Sequence, residues 1–149
     1  MVLSSQSIRK LADRAEHPMV TPFSERKQAH GLSFGLGPAG YDFRIAESVT
    51  LRPGDFLKVS TVERFEIPDN IQGEMKDKST WARRGLSIFN TVFDPGFRGF
   101  ATVELKNNGL YTLEIEAGTG IGQMVFHLLD EATEHPYNGK FQDQPRGPQ

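Results

Sequence analysis

Residues 94–116 read DPGFRGFATVELKNNGLYTLEIE, and the punctuation of this stretch decides the fold class. Asp94-Pro95-Gly96 is a turn, because Asp opens turns, Pro presets φ at the second position and Gly accepts a positive φ. Phe100–Lys106 follows as a strand. It puts Ala101, Val103 and Leu105 on one face and Phe100, Thr102, Glu104 and Lys106 on the other. Asn107-Asn108-Gly109 turns the chain again, and Tyr111–Glu116 is the next strand.

The same alternation of strand and turn extends outward from this stretch. Strands are expected at Tyr41–Ile45, Phe56–Val62, Gln72–Lys76, Leu86–Phe89 and Ile121–Leu129, with further turns at Arg52-Pro53-Gly54 and Pro68-Asp69-Asn70. Short strands every ~8–12 residues predict an all-β sandwich or barrel. Near the start, Ile8, Leu11, Ala12 and Ala15 fall at helical spacing behind a capping Ser5, and Pro18 is expected to end that helix. Thr21 to Gly40, rich in Gly, Ser and Pro, reads as a long connection. Ser79 to Arg84 is too short and polar for a strand and reads as a single helical turn. His135 to Gln149 has almost no aliphatic residues, so composition alone predicts a disordered tail.

With 149 residues, the chain is expected to form one domain, 1–149, comprising the helix and connection (1–40), the strands, and a tail (135–149). The chain has no cysteine, which excludes disulfides, thiol nucleophiles, zinc ribbons and the His/Cys-held zinc of common nucleobase deaminases. The histidines His17, His30, His127 and His135 show no metal-ligand spacing. The formal net charge of −2 argues against a nucleic-acid-coating protein, although a local cationic cluster suffices for a small anion. No apolar run approaches the ~18 residues of a membrane span. Met1 to Lys10 carries no signal-peptide pattern. The expectation is a cytoplasmic protein with neither nucleic-acid nor membrane partners.

Four stretches could carry chemistry. The first is Glu104, a carboxyl on the outward face of its strand. In the second, the turn at Asp94 could present Asp94 and Phe97 at a strand end, where a sugar hydroxyl and a ring can be held. The third, Lys78-Ser79-Thr80-Trp81-Ala82-Arg83-Arg84, joins a hydroxyl to a forked guanidinium suited to phosphate, in the densest basic cluster of the chain. The fourth pairs Gly40-Tyr41-Asp42 with Gly122-Gln123. An Asp beside a bound triphosphate commonly serves Mg²⁺ through water, and a strand Gln commonly satisfies backbone groups.

In order along the chain, Gly40-Tyr41-Asp42, Ser79-Thr80-Trp81-Ala82-Arg83, Asp94-Pro95-Gly96-Phe97-Arg98-Gly99 and Ile121-Gly122-Gln123 resemble the motif series of the dUTPase and dCTP deaminase superfamily. The resemblance runs from about Asp42 to Pro148. It implies a distorted jelly-roll β-barrel, a homotrimer with sites at subunit interfaces, and a deoxynucleoside triphosphate ligand (dCTP, or dUTP or dTTP) with Mg²⁺. dUTPases carry an apolar residue where this chain has Glu104, whereas Thr102-Val103-Glu104-Leu105-Lys106-Asn107 is similar to the deaminase pattern. The tail likewise resembles the deaminase ending, in Glu134-His135-Pro136-Tyr137, Lys140-Phe141-Gln142-Asp143-Gln144 and Arg146-Gly147-Pro148. Read this way, the tail is a lid.

By resemblance, the catalytic set is Glu104 as general acid/base with Ser79 and Arg83. The substrate-binding set is Lys78, Thr80, Asp94, Phe97, Gln123, Tyr137, Lys140 and Gln144. Asp94 would take the deoxyribose 3′-hydroxyl and Phe97 would lie under the sugar. Tyr137, Lys140 and Gln144 would close over the triphosphate. No residue is expected to bind metal directly; Mg²⁺ comes with the triphosphate, with Asp42 a candidate to reach it through water. Gly40-Tyr41-Asp42 is closer to the dUTPase first motif, and the Arg83-to-Asp94 connection is shorter than deaminases usually have. The leading expectation is metal-free deamination of dCTP to dUTP and ammonia. The alternatives are a dUTPase, an enzyme that couples both steps to give dUMP and pyrophosphate, and a non-catalytic nucleotide-binding regulator.

Overall fold

A computed structural model describes residues 1–147 and 149. In chain order the elements are α1 (Ser5–Ala12), β1 (Val20–Thr21), β2 (Lys27–Ala29), β3 (Leu32–Gly37), β4 (Gly40–Arg44), β5 (Val49–Leu51), β6 (Phe56–Glu66), β7 (Ile71–Asp77), α2 (Ser79–Ala82), β8 (Leu86–Ile88), β9 (Val92–Phe93), β10 (Arg98–Asn107), β11 (Leu113–Ile115) and β12 (Gly120–Leu128). They form a four-stranded sheet ordered β1-β6-β10-β8, a six-stranded sheet ordered β2-β3-β4-β12-β7-β9, and a small β11-β5 pair. Every strand pairing is antiparallel. Among the described residues, no helix is long and apolar enough to cross a membrane.

Strand alternation builds the core. Ala101, Val103 and Leu105 of β10 are fully buried, as the sequence pattern requires, and Thr102 and Glu104 stay on the outer face. Facing them inside the barrel are Tyr41 and Phe43 of β4, Phe65 of β6, Met75 of β7 and Met124 and Phe126 of β12, all with 0% exposure. Trp81 of α2 joins this core, and its indole N–H donates to the Gly120 carbonyl at 2.9 Å. The helical turn that carries Ser79 is therefore pinned to the start of β12.

All seven expected strands are present, with ends shifted by at most four residues. Three expectations fail. Thr21 to Gly40 is not a connection: it holds the end of β1 and the β2–β3 hairpin. Its alternation is hidden by glycine, and Gly35 (φ +89°) needs that identity, since a Cβ would lie 2.5 Å from the Glu25 carbonyl oxygen. The helix begins after Ser4 rather than Ser5, and it ends at Ala12, well before Pro18. There the chain doubles back, so that the Met19 N–H donates to the Leu11 carbonyl at 3.1 Å, and Ala15 is left exposed. The tail also departs from what its composition predicts. Side-chain amides fasten it, as described below. The Pro148 of the tail motif lies outside the described residues.

Candidate active site

Two cavities gather most of the expected site residues. The first, about 290 Å³, opens on the outer face of β10. Thr102 and Glu104 line its floor, and Asp94 and Phe97 come from the turn before β10. Phe93 and Thr91 form a wall, and Tyr137, Phe141 and Gln144 of the tail lie across it. The Glu104 Oε2 is buried and, among the described residues, has no hydrogen-bond partner. Buried carboxylate oxygens are ordinarily satisfied, and leaving one unpaired costs free energy. An orphaned one facing a cavity is the strongest local mark of a ligand-directed group. Glu104 is held in place from behind: its own carbonyl accepts the Phe89 N–H at 3.2 Å, and it sits opposite Lys58 in the β6–β10 ladder.

The aromatic side of this cavity is a packed cluster of rings. Phe97 is 6% exposed; its ring lies 5.1 Å from Phe93 in an edge-on contact and 6.0 Å from Tyr137. The Asp94 carbonyl accepts the Phe97 N–H at 3.1 Å, which closes the turn and leaves the Asp94 carboxylate at the rim.

The tail is tied down over this cavity. The Tyr137 N–H donates to the Pro95 carbonyl at 2.7 Å, and Gln144 makes an isolated parallel bridge to Gly99. Gln142 accepts from the Arg98 N–H and donates to the Gly96 and Tyr137 carbonyls. Arg98 makes a forked pair with Asp143, both bonds 3.0 Å. Gln144 is 8% exposed, and its amide donates to the Phe100 carbonyl and to Thr102 Oγ1. In this arrangement Gln144 fastens the tail to β10. Lys140 is exposed, stands over the Phe141 ring, and lines neither cavity.

The second cavity, about 320 Å³, lies on the six-stranded sheet and is lined by Arg26, Pro38, Asp42, Asp77, Lys78, Ser79 and Gln123. Asp42 is 3% exposed and both its oxygens are engaged. Lys78 Nζ and Ser33 Oγ meet Oδ2, and Gln123 Nε2 donates to Oδ1 at 3.0 Å. Gln123 therefore orients Asp42, and Asp42 positions Lys78. Any role of Asp42 toward a metal through water has to compete with these partners. The Ser79 side chain is exposed at the cavity, whereas Thr80 and Arg83 are exposed and line neither cavity. Glu104 and Ser79, which the family resemblance puts in one site, thus line different cavities of a single chain.

Several lining residues were not singled out by sequence. Thr91, Phe93, Thr102 and Phe141 join the first cavity, and Arg26 and Asp77 the second. Thr102 was legible as the outward neighbour of Glu104 on the same strand. Arg26 had no signal, because it stood in a segment read as connection.

A family model described as dCTP deaminase-like matches residues 42–129. A dCTP deaminase of Campylobacter concisus is 32% identical over an alignment of 178 positions that covers 97% of this chain and 95% of that one. Because this chain has 149 residues, the alignment contains gaps where the relative is longer. Among solved structures, a mutant dUTPase from phage phi11 of Staphylococcus aureus, described as coordinating a structural Mg(II) ion, superposes with a TM-score of 0.61. It is 20% identical, over 80% of this chain and 95% of that one. The dUTPase of Staphylococcus bacteriophage 80alpha with dUPNHPP gives 0.58 at 20% identity, over 83% and 90%. The structural likeness establishes the fold and the sequence likeness establishes the branch: the chain belongs to the dCTP deaminase-like family.

Proposed function

We propose that the chain hydrolytically deaminates the cytosine base of dCTP, releasing dUTP and ammonia. The observation that carries this reading is the buried, unpartnered Oε2 of Glu104 in a cavity shared with Asp94 and Phe97. A carboxyl so placed can take a proton from water as the water oxygen bonds to C4 of the base. The same proton then passes to the ring nitrogen N3. A second proton, from the new C4 hydroxyl, goes by way of the carboxylate to the amino group. The C4–N bond breaks, the C4 carbonyl forms and ammonia leaves. Proton transfer of this kind is worth roughly 10²–10⁴ in rate.

Asp94 takes the 3′-hydroxyl of the sugar in this reading. The Phe97 ring packs where a 2′-hydroxyl would project and so favours deoxyribose. Ser79 and Arg83 orient water and contact phosphate, and Lys78 and Thr80 belong to the same phosphate-binding turn. That Ser79 and Glu104 line different cavities of one chain supports a complete site assembled between copies of a homotrimer. Tyr137, Lys140 and Gln144 belong to the lid that covers the triphosphate. Magnesium enters as the counter-ion of that triphosphate.

The test is dCTP turnover with Mg²⁺, reading ammonia and pyrophosphate together, for the wild type and Glu104→Gln. Ammonia without pyrophosphate is expected, falling about 10²-fold or more in the variant. Stoichiometric pyrophosphate would make the enzyme bifunctional, and no ammonia from the wild type would overturn the reading.

A further inference from the structure

We propose that Arg26, from the segment between β1 and β2, is a substrate-positioning residue that grips the polyphosphate in the cavity beside Lys78 and Ser79. This inference rests on the triphosphate reading above and adds a residue to it. Two cations line that cavity, and they are not equivalent. Lys78 is 10% exposed by side chain and committed to Asp42 and Ser33. Arg26 is 54% exposed by side chain and, among the described residues, makes a single side-chain hydrogen bond, from Nη2 to Ser33 Oγ at 3.0 Å, while its Nη1 forms a loose ion pair with Asp42 at 3.8 Å. One of the five N–H donors of the guanidinium is thus in use, and the rest of the fork is available to the cavity.

The surroundings point the fork rather than consume it. Ser33 Oγ accepts from both Arg26 and Lys78, so the two cations are held a fixed distance apart on one hydroxyl. Asp42 is buried behind them, and it already carries the Lys78 pair and the Gln123 amide. The Asp77 carboxylate is turned to the Ile88 N–H at 2.8 Å. Each of the two carboxylates thus has at least one oxygen engaged, and the open donors at the cavity include those of Arg26 and the exposed Ser79 hydroxyl. Gly37 and Gly40 put bare backbone at the same place: a Cβ on Gly37 would come within 3.8 Å of Arg26 Nη1, and one on Gly40 within 2.9 Å of Gln123. A planar fork beside an open hydroxyl suits phosphate oxygens, which arginine binds two at a time.

The experiment uses the full chain as wild type, Arg26→Ala and Arg26→Lys. Each is assayed with Mg²⁺ and dCTP, with tripolyphosphate as inhibitor, with deoxycytidine as a ligand lacking phosphate, and by thermal melting. Arg26→Ala is expected to raise KM for dCTP and the inhibition constant of tripolyphosphate together, by about ten- to a hundredfold. kcat, deoxycytidine binding and melting temperature should hold. Arg26→Lys should recover part of the loss, since it restores charge without the fork. An unchanged KM in Arg26→Ala would overturn the proposal. So would a fall in kcat together with a lowered melting temperature, which would make Arg26 a clasp of the β2–β3 hairpin. If the wild type does not turn over dCTP, the deaminase reading fails by itself. Calorimetric binding of tripolyphosphate to wild type and Arg26→Ala then still decides the role of Arg26.

Discussion

The amide of Gln144 donates to Thr102 Oγ1 at 2.7 Å, which ties the tail to β10 two residues before Glu104. The docked tail and Glu104 thus share one strand. The same amide also donates to the Phe100 carbonyl, and the Gln144 carbonyl accepts the Phe100 N–H at 3.0 Å. Closure of the tail is built largely from backbone and amide bonds, with Tyr137 packed against the core beside Phe97.

Gln144→Ala should therefore loosen the tail without unfolding the barrel. The expected outcome is a KM for dCTP raised by about tenfold, the value of one or two lost hydrogen bonds, with a melting temperature within a few degrees of wild type. Hydrogen exchange should speed up in residues 137–147 and stay unchanged in β6 and β12. A melting temperature that collapsed would make Gln144 a core residue instead.

The tail has a second, charge-based tie. The Arg98 guanidinium, hydrogen-bonded to Asp143, holds the Asp143 carboxyl below the usual aspartate range. A depressed carboxyl stabilises the docked tail above the ordinary aspartate value, and that contribution disappears as pH falls through the depressed one. Proteolytic nicking of the tail in the wild type should rise as the solution is acidified below about pH 3.9. Asp143→Asn should show the raised rate already at neutral pH. Both groups are exposed, so added salt should weaken this tie.

Glu63 predicts the opposite pH slope. It is 0% exposed at the junction of the two sheets, where it accepts from the Arg44 N–H at 2.8 Å and from Arg44 Nε at 2.7 Å. Burial pushes its carboxyl up, against the pull of Arg44. For a raised carboxyl, the contribution to stability is full below the ordinary glutamate value of about 4.3 and is lost as pH rises through the raised value. The melting temperature of Glu63→Gln relative to wild type should therefore improve with pH across that window. A difference that did not vary with pH would show that the carboxyl ionises normally.

The strands around Glu104 were legible because period-two burial survives wherever large apolar and polar residues alternate, as along β10. The β2–β3 hairpin was not legible. Its strands contain Gly35 and Gly37, whose lack of side chains erases the alternation while permitting the backbone to pass close to Ser24 and Glu25. The site divided in the same way. Glu104, Asp94 and Phe97 lie on or next to one regular strand, so spacing and resemblance placed them together, and one cavity holds all three. Arg26 reaches its cavity only through the fold of that glycine-rich hairpin, and no spacing in the sequence relates it to Lys78. The tail was misjudged on composition because most of its ties are amides and the pairs of Asp143 with Arg98 and Arg64, which count as polar residues whether docked or free.

Gly122 shows how a motif position can be structural. The Gly122-Gln123 pair resembles a ligand motif, and Gln123 does reach Asp42. Gly122, however, faces the core: a Cβ there would lie 2.5 Å from Phe43 Cζ and 2.7 Å from Ile88 Cδ1. Phe43 is fully buried and Ile88 nearly so, so neither can withdraw without shifting its own neighbours. Gly122→Ala should cost about 1–3 kcal/mol through overpacking, lowering the melting temperature by several degrees. Ile88→Val removes the methyl nearest the clash, so the double variant should recover part of that loss even though Ile88→Val alone is destabilising. Strict additivity of the two changes would show that the added methyl is accommodated elsewhere, and that the glycine answers to backbone conformation rather than to the ring of Phe43.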